Sequence, residues 1–170
     1  GDLIDYGSVV NIIRDTKPFA VINLAAQSHV GISFDLPELT ANVDGLGSLR
    51  ILESIRHYSP ETRYYQASTS ELYGGISNEM LDEETPFNPR SPYSIAKLYS
   101  FWMTRLYRTA YKINASNGIL FNHESPYRGE HFVTQKIVKG LVAIKKGKTN
   151  VLKLGNLYSK RDWGHARDYM

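Results

Sequence analysis

The chain has 170 residues, 42% of them hydrophobic and 22% charged, with a formal net charge of +3. This is the composition of an ordinary globular protein with enough chain for one sizeable core. It holds no cysteine, which excludes disulfides and thiolate metal sites. No apolar run approaches the roughly 18 residues of a membrane span. No basic stripe interleaved with aromatics points to nucleic acid. With no targeting segment before the first strand, a cytosolic setting is expected.

The elements follow in chain order. YGSVVNIIRDTK (6–17) spaces Val9, Val10, Ile12 and Ile13 as a helix does. FAVINLAA (19–26) is apolar except for Asn23 and predicts a strand buried on both faces. PELTANVDGLGSLRILESIRHY (37–58) opens at a proline and sets Leu39, Val43, Leu46, Leu49 and Leu52 at helical spacing. In it Gly45 and Gly47 allow close packing. RYYQAS (63–68) is a second strand. SPYSIAKLYSFWMTRLYRTAYK (91–112) is a helix, and ASNGILFN (115–122) a third strand. HFVTQKIVKGLVAIKKGK (131–148) is another helix, with Ile137, Leu141 and Ile144 on one face. Its closing lysines complement the helix dipole. NVLKL (150–154) reads as a fourth strand.

Strands alternating with helices of several turns imply βαβ crossovers and an α/β fold with a doubly wound parallel sheet. The glycine-rich turn that cradles a pyrophosphate in such folds is absent ahead of the first strand. The chain is therefore expected to be an internal portion of a longer protein.

Two stretches carry the chemistry. In RSPYSIAKLY (90–99), Ser91 is a good N-cap and Pro92 suits the first helical position, so Tyr93 lies in the first turn. Lys97 follows one turn later on the same face. A free tyrosine, with a pKa of roughly 10, is a poor base at neutral pH. A neighbouring ammonium and the positive helix end both favour its phenolate. Such a pair can take a proton from an alcohol as a hydride leaves its carbon. Alone, the same spacing also arises as an ordinary surface or core-edge contact. In QASTSELYG (66–74), Thr69, Ser70 and Glu71 come where a strand ends, at the edge where open α/β sheets bind ligands. Thr69 and Ser70 can donate hydrogen bonds to a hydroxyl or keto oxygen. Glu71 is either a capping or solvated residue, or a base that removes a proton alpha to a new ketone. Oxidation alone needs no such base, whereas elimination does.

Five motifs, NLAAQSHV, QASTSELYG, SPYSIAKLY, GILFNHESPYRG and LGNLYSKRDWGHARDY, together resemble the GDP-mannose 4,6-dehydratase family of extended short-chain dehydrogenase/reductases. The resemblance covers essentially the whole chain. It implies a Rossmann-like fold lacking its first βαβ portion and most of the C-terminal substrate domain. Residues 1–125 would be part of an NADP-binding domain with the catalytic residues, and 126–170 the start of the nucleotide-sugar-binding region. The implied reaction converts GDP-mannose to GDP-4-keto-6-deoxymannose with internally recycled NADP. Tyr93 would take the O4 proton, and Thr69 would hold that oxygen. Lys97 would bind the nicotinamide ribose and lower the tyrosine pKa. Glu71 would remove the C5 proton and assist loss of water from C6.

The resemblance assigns further cofactor contacts to Asp2, Leu3, Leu24, Ala25, Ala26, Gln27, Ser28, His123 and Arg128. Substrate contacts would fall to Ser70, Asn122, Lys136, Asn156 and Arg161, and a homo-oligomer, dimer or tetramer, is implied for the full-length protein. No metal is expected from His29 or His123, each of which also reads as a hydrogen-bonded structural residue. RDWGHARDY also reads as a tryptophan-anchored turn laced with ion pairs. Leu39 departs from a tyrosine common in the family, and GGISNEMLDEETPF (74–87) matches loosely and is expected to shape the site entrance. Another nucleotide-sugar dehydratase or epimerase is the alternative enzyme. The 170 residues by themselves are expected to be inactive, because the pyrophosphate turn is missing. NADP and NAD are not distinguished, since the residues that read the ribose 2′ position fall outside the sequence.

Overall fold

A computed structural model describes residues 1–75 and 80–169. They form two compact units, Gly1–Leu120 and Phe121–Met170. The first is built on a parallel sheet of β1 (Ala20–Asn23), β2 (Arg63–Thr69) and β3 (Ala115–Leu120), in that order. Ala20 faces Arg63 and Thr69 faces Leu120, so the carboxyl ends of β2 and β3 lie level. Helices α1 (Tyr6–Thr16) and α4 (Gly47–Tyr58) pack together. Val9, Ile13, Ile51, Leu52 and Ile55 on these helices form the core with Tyr64, Tyr107, Ile113 and Ala115.

The strand expected to be buried on both faces is not. β1 is four residues long, and Ile22 on it is 61% exposed. Among the described residues it has a strand on one side only, so its apolar run reaches solvent. Asn23, the polar interruption, is buried. Its side-chain amide donates to Gln66 Oε1 (2.9 Å) and to the Tyr64 hydroxyl (3.3 Å).

The helix expected over 37–58 does run from Pro37 to Tyr58, after a short α2 (Val30–Asp35). It opens as α3 (Pro37–Thr40), widens to a π-helical stretch at Ala41–Leu46 and continues as α4. The buried face is Thr40, Asp44, Ser48, Ile51, Leu52 and Ile55, at regular helical spacing, whereas Leu39 and Leu46 of the expected stripe are exposed. Gly47 does allow a close approach, since a Cβ there would lie 2.9 Å from that of Leu3.

Helix α5 (Pro92–Ala110) begins as expected. Ser91 Oγ accepts the Ser94 amide (3.1 Å), and Ser94 Oγ accepts the Ser91 amide (2.9 Å), closing a reciprocal cap.

In the second unit, β4 (Asn122–Glu124) pairs in parallel with β5 (Trp163–His165), beside α6 (Val133–Lys145) and the short α7 (Ala166–Tyr169). The strand expected over 115–122 is thus broken at Phe121. NVLKL is not a strand. Its side chains alternate, with Leu152 and Leu154 half-buried, but no partner strand is present among the described residues. Leu152 instead lies against Gly140 of α6. On α6, Ile137 and Ile144 are half-buried, while Leu141 is 55% exposed. No helix among the described residues is long and apolar enough to cross a membrane.

Candidate active site

Thr69 is the last residue of β2 and caps a single 3-10 turn, Ser70–Tyr73, with its Oγ1 accepting the Glu71 amide at 3.2 Å. Because that oxygen acts as acceptor toward the turn, its hydrogen remains to be donated. Thr69 is buried, while Ser70 and Glu71 are half-exposed. The turn closes at Gly74 in the left-handed region, φ 62°. Residues 80–90 return over it: the Asn88 amide donates to Leu72 O (2.8 Å), and the Tyr73 hydroxyl to Asp82 O (2.7 Å). Residues 76–79 of the segment expected to shape the entrance lie outside the described residues.

Helix α5 packs against β2 and this turn. Tyr93 is 8% exposed and Lys97 3%. The Lys97 ammonium donates to the Ala67 carbonyl of β2 at 3.1 Å and lies 6.0 Å from the centre of the Tyr93 ring. The tyrosine–lysine pair is thus held two residues before Thr69. Ala67 O also accepts from Gln66 Nε2 (2.9 Å), so the lysine joins the buried Asn23–Tyr64–Gln66 network. Burial lowers the Lys97 pKa, and the nearby Asp44 raises it.

Asp44 is the residue that sequence reasoning missed. It is 2% exposed, and its Oδ1 accepts the Gln27 amide at 2.7 Å. Nothing in its local pattern marks a buried carboxylate, because its burial comes from the loop after β1 and from α5, which cover it. Burial pushes its pKa up to about 6, against the opposing effects of the Gln27 amide and Lys97.

The other expected contacts of the first unit are distributed as follows. Asp2 is exposed, with Oδ1 accepting the Ile4 amide (3.0 Å), and Leu3 O accepts from Arg50 (2.8 Å). Leu24, Ala25 and Ser28 are exposed, while Ala26 and Gln27 are half-buried, in the loop that leaves the carboxyl end of β1. Three buried oxygens in this unit, Ser68 Oγ, Asp44 Oδ2 and Asn117 Oδ1, have no hydrogen-bond partner. An ammonium with spare donors and unpaired buried oxygens suit a hydroxyl-rich ligand such as a nucleotide ribose.

Asn122, His123, Arg128, Lys136, Asn156 and Arg161 belong to the second unit. Asn122 Nδ2 donates to Asp162 O (3.0 Å), which brings it beside the Arg161 segment. The His123 ring lies 4.3 Å from that of Tyr169. Arg128 pairs with Glu124 at 3.6 Å and stacks on Phe132. Lys136, Asn156 and Arg161 are exposed.

Comparison with known proteins agrees with this architecture. The family model described as GDP-mannose 4,6 dehydratase matches residues 1–170. The GDP-mannose 4,6-dehydratase of Sinorhizobium fredii is 56% identical over all of this chain, and the human GDP-mannose 4,6 dehydratase 53%. The chain covers 49% and 46% of those relatives, about half their length. Among solved structures, RMD from Pseudomonas aeruginosa, complexed with NADPH, superposes with a TM-score of 0.91 at 25% identity. That match covers 99% of this chain and 59% of RMD. The dTDP-glucose 4,6-dehydratase DesIV from Streptomyces venezuelae, solved with NAD bound, gives 0.87 at 27% identity, over 99% of this chain and 50% of DesIV.

Proposed function

Because the chain belongs to the GDP-mannose 4,6-dehydratase family, we propose that it supplies the catalytic centre of a protein that dehydrates GDP-mannose to GDP-4-keto-6-deoxymannose. What supports this reading most is the Lys97–Ala67 hydrogen bond. It anchors the Tyr93–Lys97 pair at the strand end that carries Thr69 and Glu71.

In the proposed mechanism Tyr93 accepts the proton of the sugar O4, and the Lys97 ammonium favours the phenolate that does so. Thr69 donates its hydroxyl hydrogen to the same oxygen. Glu71, in the adjoining turn, takes the C5 proton once C4 is a ketone and returns it to the C6 hydroxyl as water leaves. A nicotinamide dinucleotide, when bound, would supply the hydride acceptor for oxidation at C4 and the hydride donor for reduction at C6. The solved neighbours named above were obtained with NADPH or NAD, and NADP is the proposed cofactor. Its contacts are proposed at Asp2, Leu3, Leu24, Ala25, Ala26, Gln27, Ser28, Lys97, His123 and Arg128. The GDP-sugar is proposed to meet Ser70, Asn122, Lys136, Asn156 and Arg161, where cationic side chains suit a pyrophosphate.

The full-length protein is proposed to work in the cytosol as a homo-oligomer. Ile95, Tyr99, Trp102 and Leu106, exposed at helical spacing along α5, offer a surface for assembly.

The test is a GDP-mannose dehydration assay on the complete reading frame with NADP supplied. Turnover is expected to fall about 10²–10⁴-fold in Glu71→Gln, the range for losing a general base, while C4 oxidation persists. An intact protein that binds NADP yet leaves GDP-mannose untouched, while converting dTDP- or UDP-glucose, would overturn the substrate assignment. The 170 residues by themselves are expected to turn over nothing.

A further inference from the structure

We propose that Asp44 is a positioning residue whose carboxylate is the counter-ion holding Lys97 as an ammonium inside the protein. The same side chain ties the loop after β1 to the helix that packs on α5. The inference rests on the reading of Lys97 as part of the active site.

The geometry is that of a hub. Asp44 Oδ1 takes the Gln27 amide at 2.7 Å, while its main-chain carbonyl accepts the Ser100 hydroxyl from α5. Ser48 Oγ, one helical turn on, is 2.8 Å from Ser100 Oγ. Gly45, the next residue, faces α5 directly: a Cβ there would lie 3.8 Å from the Ala96 carbonyl. Asp44 is therefore packed against the stretch of α5 bounded by Ala96 and Ser100, the stretch that contains Lys97.

The second oxygen explains why the residue is an acid. Oδ2 is buried with no hydrogen-bond partner. For holding the Gln27 amide alone, asparagine would serve as well and would be far less costly to bury. A charge retained in such a place needs an opposite charge, and Lys97, 3% exposed, is the charged group acting on it. The influence is mutual, since Asp44 is the charged group acting on Lys97. The ammonium also meets the Ala67 carbonyl of β2 and lies 6.0 Å from the centre of the Tyr93 ring of α5. Burial works against both ions, and each opposes that effect on the other. Without Asp44, desolvation of the ammonium would lose the charge that opposes it, and Lys97 would release its proton at a lower pH.

The test separates the charge from the hydrogen bond. Asp44→Asn keeps an acceptor for the Gln27 amide and removes the charge. Lysine side-chain carbon resonances are followed by NMR through alkaline pH, with Lys97 assigned by its loss in Lys97→Met. The Lys97 transition is expected at lower pH in Asp44→Asn than in the unsubstituted protein. By reciprocity, the Asp44 carboxyl is expected to titrate at higher pH in Lys97→Met. A Lys97 transition at the same pH in both proteins overturns the proposal. Should Asp44→Asn fail to fold, an Asp44 transition unmoved by Lys97→Met overturns it equally. In the complete reading frame, the alkaline limb of turnover is expected to move to lower pH in Asp44→Asn. Failure to act on GDP-mannose would sink the functional reading, while the two titrations would still decide the coupling between Asp44 and Lys97.

Discussion

At the scale of single residues, two carboxylates show opposite responses to their surroundings. Glu53 is gripped by Arg56 through both oxygens, at 2.8 and 2.9 Å, and accepts the Tyr107 hydroxyl at 2.5 Å. Arg56 first, and then Tyr107 against the cost of burial, hold its pKa at about 2, below the usual 4.5. A depressed acid stabilises the fold above its unfolded value and loses that contribution as pH falls through its folded one. Glu53→Gln is therefore expected to remove about 1 kcal/mol of stability at neutral pH, the scale of a partly screened pair. It should also flatten the decline between pH 4.5 and 2, as read by denaturant unfolding at stepped pH. Asp44 runs the other way. Its pKa rises from the usual 3.8 to about 6. The contribution of its neutral form is therefore complete below the unfolded value and is lost as pH rises through about 6. Between those limits the protein is expected to lose on the order of 3 kcal/mol from this one group, at 1.36 kcal/mol per pKa unit. A buried charge that weakens the folded state at working pH is a mark of a functional site.

At the scale of elements, the geometry of the candidate site depends on how two short pieces end. The reciprocal Ser91–Ser94 cap fixes where α5 starts, and with it the height of Tyr93 above the strand. Ser91→Ala is expected to cost about 1 kcal/mol, seen as a lower unfolding midpoint. Turnover in the complete protein should fall more than that loss implies, because Tyr93 shifts. The 3-10 turn that carries Glu71 closes on Gly74, at φ 62°, where a Cβ would overlap the Asn88 carbonyl. Gly74→Ala is expected to destabilise by about 1–3 kcal/mol, with residues 80–90 becoming more open to proteolysis. Both features read clearly from sequence at one end only. Ser-Pro before a helical pattern is a local signal, whereas the crowding at Gly74 comes from a segment fourteen residues away.

At the scale of the molecule, the two units differ in how much they bury. Helix α5 buries eight residues, including Phe101, Thr104 and Tyr107, whereas α6 has none in that class. Amide hydrogen exchange is expected to be markedly slower in α5 and α4 than in α6, because exchange follows local burial and packing. Uniform protection across all three helices would contradict that expectation. Phe19, Ile22 and Leu24 leave an apolar fringe along β1, the kind of strand edge on which chains associate.

What the sequence by itself determined is whatever depends on neighbours along the chain. Pro92 and Ser91 start a helix, i and i+4 place Tyr93 and Lys97 on one face, and a β-rich run puts Thr69 at a strand end. These follow from backbone geometry and the period of each element. The tertiary structure alone decided which groups lost their water. It buried Asp44 under the loop after β1 and α5 and carried Lys97 to a carbonyl thirty residues away. It also left β1 open where a two-sided burial was expected, and denied NVLKL a partner strand. Desolvation and strand pairing depend on what arrives from elsewhere in the chain, and no local pattern records that arrival.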